Sequence, residues 1–163
     1  MRTIPDPGFA GDDGSVDPAV ARVLECWDTD PQAHLTALAV VQRSRVLVPV
    51  VAVLGEVEYD ERGRPQEKTS DMATVLMEGA DGRKGLLAFT GSAPLQRWNL
   101  EARPVPVRFP VAAQAALQDG ADAILLDVAG PSMFPVEGEP LRLLAEGHTL
   151  VRLRDGWGWA RPA

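Results

Sequence analysis

The sequence predicts an α+β fold, with helices packed on a mixed β-sheet. Three observations support this fold class. Along the 163 residues, apolar residues at helical spacing alternate with short valine- and leucine-rich runs of strand length. Two helix starts precede the first such run, and a tight Asp-Gly turn near the end predicts a β-hairpin. We expect one domain over residues 15–163, behind a mobile tail of residues 1–14 rich in Pro, Gly and Asp.

Two helices are expected before the first strand. Ser15 or Asp17 can cap the first helix, with Pro18 in its first turn, and apolar residues then recur at helical spacing. An Asp-Pro pair at residues 30–31 repeats the start signal, so a second helix should follow and end near Arg43.

The next segments predict strands and a loop. Valine-rich residues 45–54 are apolar on both faces, as in an interior strand. Pro49 has no amide hydrogen, so one side of this strand should be irregular or unpaired there. The charged residues 56–66 should form a solvated loop. Residues 72–77 and 86–89 are expected to form the second and third strands, joined as a hairpin.

The second half of the chain alternates between helices and strands. Ser92 should cap a short helix, and further helices are expected over 112–117 and 139–145. A hydrophobic strand is expected over 123–128, and the order of elements in residues 86–154 permits some parallel pairing.

Charge and composition exclude several function classes. The net charge is −7, and most of it lies in residues 1–30, so no basic surface is available for nucleic acid or anionic lipid. The longest apolar run, residues 46–54, contains a proline and falls short of the about 20 residues that cross a bilayer. A single cysteine, Cys26, excludes an intramolecular disulfide. We therefore expect a cytoplasmic protein that binds neither nucleic acid nor membrane.

Sequence patterns for metals, cofactors and nucleophilic catalysis are absent. His34 and His148 are far apart, and neither has a neighbouring residue at metal-ligand spacing. Nucleophilic catalysis needs a base within hydrogen-bond reach of the nucleophile, and the two isolated histidines do not indicate such a pair. No phosphate-binding glycine loop precedes a helix. We expect no cofactor, no metal and no catalytic residues.

Two polar clusters are the best candidates for a ligand site. Lys68 and Asp71, with two hydroxyl residues between them, could bind an anion or a carboxylate, or could form a local salt bridge at the start of a strand. Thr90 and Ser92 flank a glycine before a helix, where free amides favour anions, although an ordinary helix cap also explains them. If both clusters meet at adjacent strand ends, they form one shallow pocket with Trp98 as a wall.

Three further residues have both a structural and a functional interpretation. Asp127 lies in an apolar run, and alternation places it on the face of Leu125. Because a buried carboxylate is costly unless paired, it should be hydrogen-bonded to a loop or should line the same pocket. Trp157 and Trp159 alternate with glycines and should share one face of the last strand, covering the core or binding a partner.

Several segments, in this order and spacing, resemble the SseB-like family, the N-terminal domain named after the bacterial enhanced-serine-sensitivity protein. The resemblance covers roughly residues 17–147 and is nearest to the long form common in actinobacteria. It implies an α+β domain and supplies no catalytic residues. The segments are Val48-Pro49-Val50-Val51, Lys68-Thr69-Ser70-Asp71-Met72-Ala73, Leu87-Ala88-Phe89-Thr90-Gly91-Ser92 with Leu95 and Trp98, Ala123-Ile124-Leu125-Leu126-Asp127-Val128-Ala129-Gly130-Pro131, and Phe134-Pro135-Val136.

Two functions follow as expectations. The first is a non-enzymatic protein-interaction or regulatory domain whose partner is another protein or itself, with weak self-association as one form. The alternative is a protein that binds a small anion or carboxylate ligand in a shallow pocket of Lys68, Asp71, Thr90 and Ser92, beside Trp98.

Overall fold

A computed structural model describes residues 9–53, 57–59, 61–67 and 71–163. In these residues the chain forms five α-helices and eleven strands, which confirms the α+β class. Two helices precede the first strand, as predicted. The helices are α1 (Pro18–Thr29), α2 (His34–Val41), α3 (Ser92–Trp98), α4 (Phe109–Gln118) and α5 (Gly138–Ala145), with a 3₁₀ turn at Pro31–Ala33 before α2.

The strands form four sheets within the described residues. A mixed four-stranded sheet has the order β5-β6-β8-β9, a three-stranded sheet has the order β4-β1-β7, and β2-β3 and β10-β11 are hairpins. The last of these is the predicted C-terminal hairpin. The strands are β1 (Arg45–Val53), β2 (Val57–Tyr59), β3 (Pro65–Glu67), β4 (Asp71–Thr74), β5 (Leu76–Glu78), β6 (Lys84–Ala88), β7 (Arg103–Arg108), β8 (Ala123–Leu126), β9 (Phe134–Glu137), β10 (Thr149–Leu153) and β11 (Gly156–Ala160).

The mixed sheet separates two parts of the core. Successive residues of a strand face opposite sides of a sheet, so Leu86 and Ala88 enter the main cluster with α1, α2, α4 and α5. Leu87 and Phe89 face the other way and pack with Leu95 of α3 in a smaller cluster. Strands β6 and β8 pair in parallel, which confirms the predicted parallel pairing.

Prolines in the three-stranded sheet occupy positions that need no amide hydrogen. Leu47 exchanges backbone hydrogen bonds with Phe89, so the amide side of Pro49 also points away from β7. Pairing with β4 begins only at Val50, which leaves Pro49 in a gap and confirms the predicted irregularity. On β7, Pro104 and Pro106 lie opposite Pro49 and Leu47. Their missing amides therefore point to the open edge, where proline is tolerated.

Three local predictions are wrong. Residues 56–66 are not simply a loop, because β2 and β3 pair there as a hairpin. Residues 72–77 are not one strand: β4 pairs with β1, and after Val75 the chain continues as β5 in the mixed sheet. Ser92 does not cap α3. It is the first helical residue, and Gly91 is the N-cap with no side-chain hydrogen bond.

The first two helices cover the outer edge of β9. The indole nitrogen of Trp27 donates to the Met133 carbonyl over 3.2 Å, and Nε2 of His34 donates to the Pro135 carbonyl over 2.8 Å. The His34 ring also stacks on Phe134, with centroids 4.6 Å apart. Side chains from the helices thus satisfy edge carbonyls that another strand could otherwise bind.

Candidate functional site

A buried pair, Thr90 and Asp127, lies just beyond the carboxyl ends of the parallel strands β6 and β8. The Thr90 amide donates to one carboxylate oxygen of Asp127 over 2.8 Å. The Thr90 hydroxyl donates to the other over 2.7 Å. Ligands of parallel sheets bind outside the carboxyl ends of the strands, so this pair occupies a favourable place for a site.

Asp127 adopts an unusual backbone conformation. Strand β8 ends at Leu126, and Asp127 has a φ of 55°, a left-handed conformation that Asp tolerates better than most residues. The strand alternation that predicted Asp127 on the face of Leu125 therefore does not extend to residue 127. The predicted hydrogen bond of Asp127 to a loop is present, because Thr90 donates to it. Asp127 also lines a cleft with Thr90, but Ser92 and Trp98 of the predicted pocket are not among the residues that line this cleft.

Burial controls the charge of this carboxyl. Asp127 is only 4% exposed, and desolvation raises its pKa above the ordinary value of 3.8. The two hydrogen bonds from Thr90 and the more distant charge of Arg97 favour the ionised form and only partly offset the burial. Within the described residues no basic group lies within salt-bridge distance of Asp127.

An open cleft of about 320 Å³ lies above the Thr90–Asp127 pair. Its walls come from α1, α3 and the segment after Asp127, and most of its lining residues are apolar. We call it the α1–α3 cleft. It is lined by Val16, Ala21, Leu24, Glu25, Thr90, Ala93, Pro94, Arg97, Asp127, Pro131 and Ser132.

Polar groups lie at the base and the rim of the cleft. Ser132 is buried, and its hydroxyl has no hydrogen-bond partner in the described part of the chain. Glu25 and Arg97 are exposed. The Arg97 guanidinium makes a long hydrogen bond of 3.4 Å to the Gly130 carbonyl. With Glu25, Asp127 and Arg97 ionised, the lining carries one net negative charge.

Arg45 connects the cleft to the N-terminal segment, which we define as residues 9–16. The Arg45 guanidinium donates to both carboxylate oxygens of Asp12, over 2.7 and 2.9 Å. It also donates to the carbonyls of Ser15 and Thr90, each over 2.9 Å. Bidentate Arg–carboxylate geometry fixes orientation as well as distance. Arg45 thus holds the N-terminal segment against Thr90, which is the hydrogen-bond partner of Asp127.

Glycines allow the N-terminal segment to approach the start of α3. The Ser92 amide donates to the Gly14 carbonyl over 2.7 Å. Gly14 has a φ of +81°, and a Cβ there would collide with the Ser92 hydroxyl oxygen. A Cβ on Gly91 would lie 2.8 Å from the Gly14 carbonyl oxygen. Only glycine fits at these two positions without displacement.

The structure brings together only part of the predicted ligand site. Thr90 and Ser92 are neighbours, and Trp98 packs on Phe89, with ring centroids 5.6 Å apart. Lys68 lies outside the described residues. The backbone of Asp71 pairs with Val53 of β1, whereas Phe89 pairs with Leu47. Val53 and Leu47 are six residues apart along β1, a distance of about 20 Å.

Three of the donors near the predicted anion site already have acceptors. The Ser92 amide donates to Gly14, and both Thr90 donors are used by Asp127. The anion or carboxylate site of Lys68, Asp71, Thr90, Ser92 and Trp98 stays a prediction.

Sequence reasoning did not find Arg45 or Ser132. Arg45 begins a valine-rich strand, and its partners Asp12 and Thr90 are 33 and 45 residues away. Ser132 follows a Gly-Pro pair, a pattern that ends the preceding strand. No periodic or motif signal marks either residue, because the contacts that define them are long-range.

The described part of the chain holds no group of three or more His, Cys, Asp and Glu side chains placed to bind a metal ion. None of its helices combines the length and hydropathy needed to cross a membrane.

Comparison with known proteins supplies one family. Searches of curated proteins and of solved structures found no match. The family model of the SseB protein N-terminal domain matches residues 20–143, which is more than half of the chain and includes most of α1, all of α3, Thr90 and Asp127. The chain therefore belongs to the SseB N-terminal domain family.

Proposed function

We propose that this SseB-family chain is a non-enzymatic protein-interaction domain, and that a partner polypeptide binds it by placing a side chain in the α1–α3 cleft. The observation that carries the proposal is the cleft itself. It lies at the carboxyl ends of two parallel strands, and an apolar wall surrounds a buried polar base. Apolar surroundings with a few convergent polar groups are typical of binding sites.

The size of the cleft favours a side chain over a cofactor. Its volume of about 320 Å³ is at the lower end of the roughly 300–1,000 Å³ of small-molecule sites. Exposed Ala21 and Ala93 on the two walls leave space for a partner's backbone to approach. A protruding side chain on a partner surface has the dimensions to enter, and buried anchors of this kind dominate interface energies.

The alternative function, a small anion or carboxylate bound near Thr90 and Ser92, is less favoured. Both donors of Thr90 and the backbone amide of Ser92 are already paired within the chain. An incoming anion would also have to approach the carboxylate of Asp127.

Position-specific cross-linking tests the proposal. A photoreactive residue replaces Ala93 in the cleft or, as the control, exposed Glu139 on α5, and the full chain is irradiated in its native cell. We expect one discrete protein adduct from position 93 and none from position 139. The captured protein is then purified and its affinity for the unlabelled chain is measured.

A variant that fills the cleft provides the decisive comparison. Ala21 is exposed, so Ala21→Trp should fold normally while occupying the space between α1 and α3. We expect it to remove the position-93 adduct. We also expect it to weaken the binding of the purified partner at least tenfold. The same adducts at both positions, or unchanged binding in Ala21→Trp, would reject the cleft as the binding surface.

A further inference from the structure

We propose that the α1–α3 cleft selects a cationic aliphatic group, such as a lysine side chain, whose ammonium group binds the Asp127 carboxylate. This inference rests on the proposed function, because it names the chemistry of the group that the cleft receives. It adds a specificity determinant, Asp127, that the interaction proposal alone does not require.

The carboxylate of Asp127 has unused acceptor capacity. Each of its oxygens accepts one hydrogen bond, both from Thr90. A carboxylate has about four acceptor positions, so each oxygen can accept a further donor. Asp127 also lines the cleft, so a group that enters the cleft can reach this carboxylate from the open side.

The charge of Asp127 lacks a close counter-ion. The carboxylate is buried, and no basic side chain of the described residues lies within 4 Å of it. A buried charge is costly unless it is paired. A ligand cation would supply the missing charge, and its ammonium hydrogens would fill the free acceptor positions.

The surrounding charges favour a cation over an anion. Glu25 on α1 adds a second negative charge to the lining, and Arg97 on α3 supplies the one positive charge. The Arg97 guanidinium is directed towards the Gly130 carbonyl. One net negative charge therefore remains, and an incoming carboxylate would meet repulsion from two acidic groups.

The walls favour an aliphatic stem behind the charged group. Leu24, Pro94 and Pro131 present apolar surface around the base of the cleft. Lysine places a compact ammonium group on a flexible stem of four methylenes. Such a side chain contacts apolar walls along its length while its charged end reaches a polar base. Ser132 lines the same cleft, and its hydroxyl is a second acceptor there.

A titration with n-butylammonium tests the inference on the intact chain. The amide resonances of Leu24, Thr90, Asp127 and Ser132 are followed by NMR at pH 7 and constant ionic strength. The comparison ligands are n-butanol and butyrate, which keep the four-carbon chain and change its end group. We expect n-butylammonium to shift these resonances, n-butanol to bind at least tenfold more weakly, and butyrate to cause no shift.

Charge-removing variants identify the group responsible. Asp127→Asn keeps the shape and should abolish the preference for n-butylammonium over n-butanol. Asp155→Asn, in the exposed turn between β10 and β11, removes the same charge elsewhere and should leave the preference intact. If Asp127→Asn does not give a folded spectrum, Glu25→Gln on the exposed rim is used instead. It should weaken the binding of n-butylammonium severalfold.

The outcomes separate this inference from the proposed function. Equal binding of n-butanol, or a preference retained in Asp127→Asn, overturns the cationic ligand. If n-butylammonium fails to bind while Ala21→Trp still removes the adduct at position 93, the cleft remains an interaction site with a different preference. If n-butylammonium binds as expected while position 93 gives no specific adduct, the ligand class stands and the protein-interaction function is rejected.

Discussion

The side chain of Gln42 hydrogen-bonds both backbone polar groups of Leu150, as a residue on a paired strand would. The amide nitrogen of Gln42 donates to the Leu150 carbonyl over 2.8 Å, and the Leu150 amide donates back to Oε1 over 2.8 Å. The same nitrogen also donates to the Ala39 carbonyl over 3.1 Å. Gln42 is only 5% exposed, so these bonds lie in the core. They attach the C-terminal hairpin to the end of α2.

Replacing Gln42 should therefore destabilise the fold. Gln42→Ala leaves the amide and the carbonyl of Leu150 without these partners, and we expect a loss of about 1–3 kcal/mol in the free energy of unfolding. Gln42→Glu keeps the acceptor but loses the donor and buries a charge, so it should be destabilising too. Urea denaturation measures both losses. Gln32→Ala, at an exposed position before α2, is the control and should change stability by less than about 0.5 kcal/mol.

Trp159, on the other strand of the same hairpin, should also contribute to stability. The register pairs Leu150 with Trp159 and Arg152 with Trp157, so both tryptophans share one face, as predicted. Both are half-buried and pack against the main core, and the Arg152 guanidinium lies 4.9 Å from the Trp157 ring centroid. Because Trp159 is only partly buried, Trp159→Ala should cost somewhat less than the about 3–5 kcal/mol of a fully buried aromatic residue.

Thermal melts and sedimentation measure the effect of Trp159→Ala. The control is Arg154→Ala, in the exposed turn of the same hairpin, which should melt as the parent does. An unchanged melt combined with lost self-association would contradict the packing role and make the hairpin an interface between chains.

The sequence predicted elements better than it predicted their partners. Helix starts at Asp17 and Pro18 and the strand that begins at Arg45 depend on local chemistry, and they occur as expected. The division of residues 72–77 at Val75 depends on two sheets that compete for adjacent parts of one apolar run. Periodicity contains no information on which sheet a strand joins.

The candidate site was predictable only in part for the same reason. The sequence marks Asp127, because a carboxylate in an apolar run needs a partner. Its partner Thr90 is 37 residues away, and the cleft above them needs α1 and α3 to meet. The prediction that Ser92 caps its own helix failed because Gly91 is the N-cap. Such long-range contacts follow from packing and leave no mark in local sequence.

The stability of the fold should depend on pH through Asp127. Burial raises its pKa in the folded state above the ordinary value of 3.8, so the folded protein binds this proton more tightly than the unfolded chain does. The contribution of Asp127 to stability therefore falls as pH rises from 3.8 through the folded-state pKa, and the ionised carboxylate is unfavourable at neutral pH. Asp127→Asn should leave stability unchanged or raise it at pH 7, and this advantage should shrink as pH falls towards 3.8.

Denaturant unfolding between pH 3.5 and 7 measures that dependence. Asn tolerates the left-handed conformation of residue 127, and its amide can donate to the Thr90 hydroxyl. Asp127→Ala is the contrasting variant, because it leaves the Thr90 donors unpaired and should lose about 1–3 kcal/mol. A marked loss of stability in Asp127→Asn at pH 7 would show that Thr90 stabilises the charge more than burial opposes it.

Arg45 should control whether the N-terminal segment stays on the start of α3. Arg45→Ala removes the bonds to Asp12, Ser15 and Thr90, and hydrogen bonds to charged groups contribute about 1.5–3 kcal/mol each where they are well formed. Once Arg45 is removed, water can hydrogen-bond the Asp12 carboxylate, which offsets part of the lost free energy. The Ser92 amide donates to Gly14. We expect it to exchange with solvent at least about tenfold faster in Arg45→Ala, because a loss of about 1.4 kcal/mol in the free energy of local opening changes the opening equilibrium tenfold.

Hydrogen exchange followed by NMR resolves the Ser92 amide from the amides of the core. Arg43→Ala removes an exposed arginine two residues earlier, and it should leave the Ser92 rate unchanged. Acidification should release the segment in the parent chain as well. Asp12 has its pKa lowered by hydrogen bonds from the Gly14 amide and from Arg45, so its contribution is present above pH 3.8 and is lost as pH falls through the lower folded-state pKa. Equal protection of Ser92 in the parent and in Arg45→Ala would show that the glycine contacts hold the segment without the ion pair.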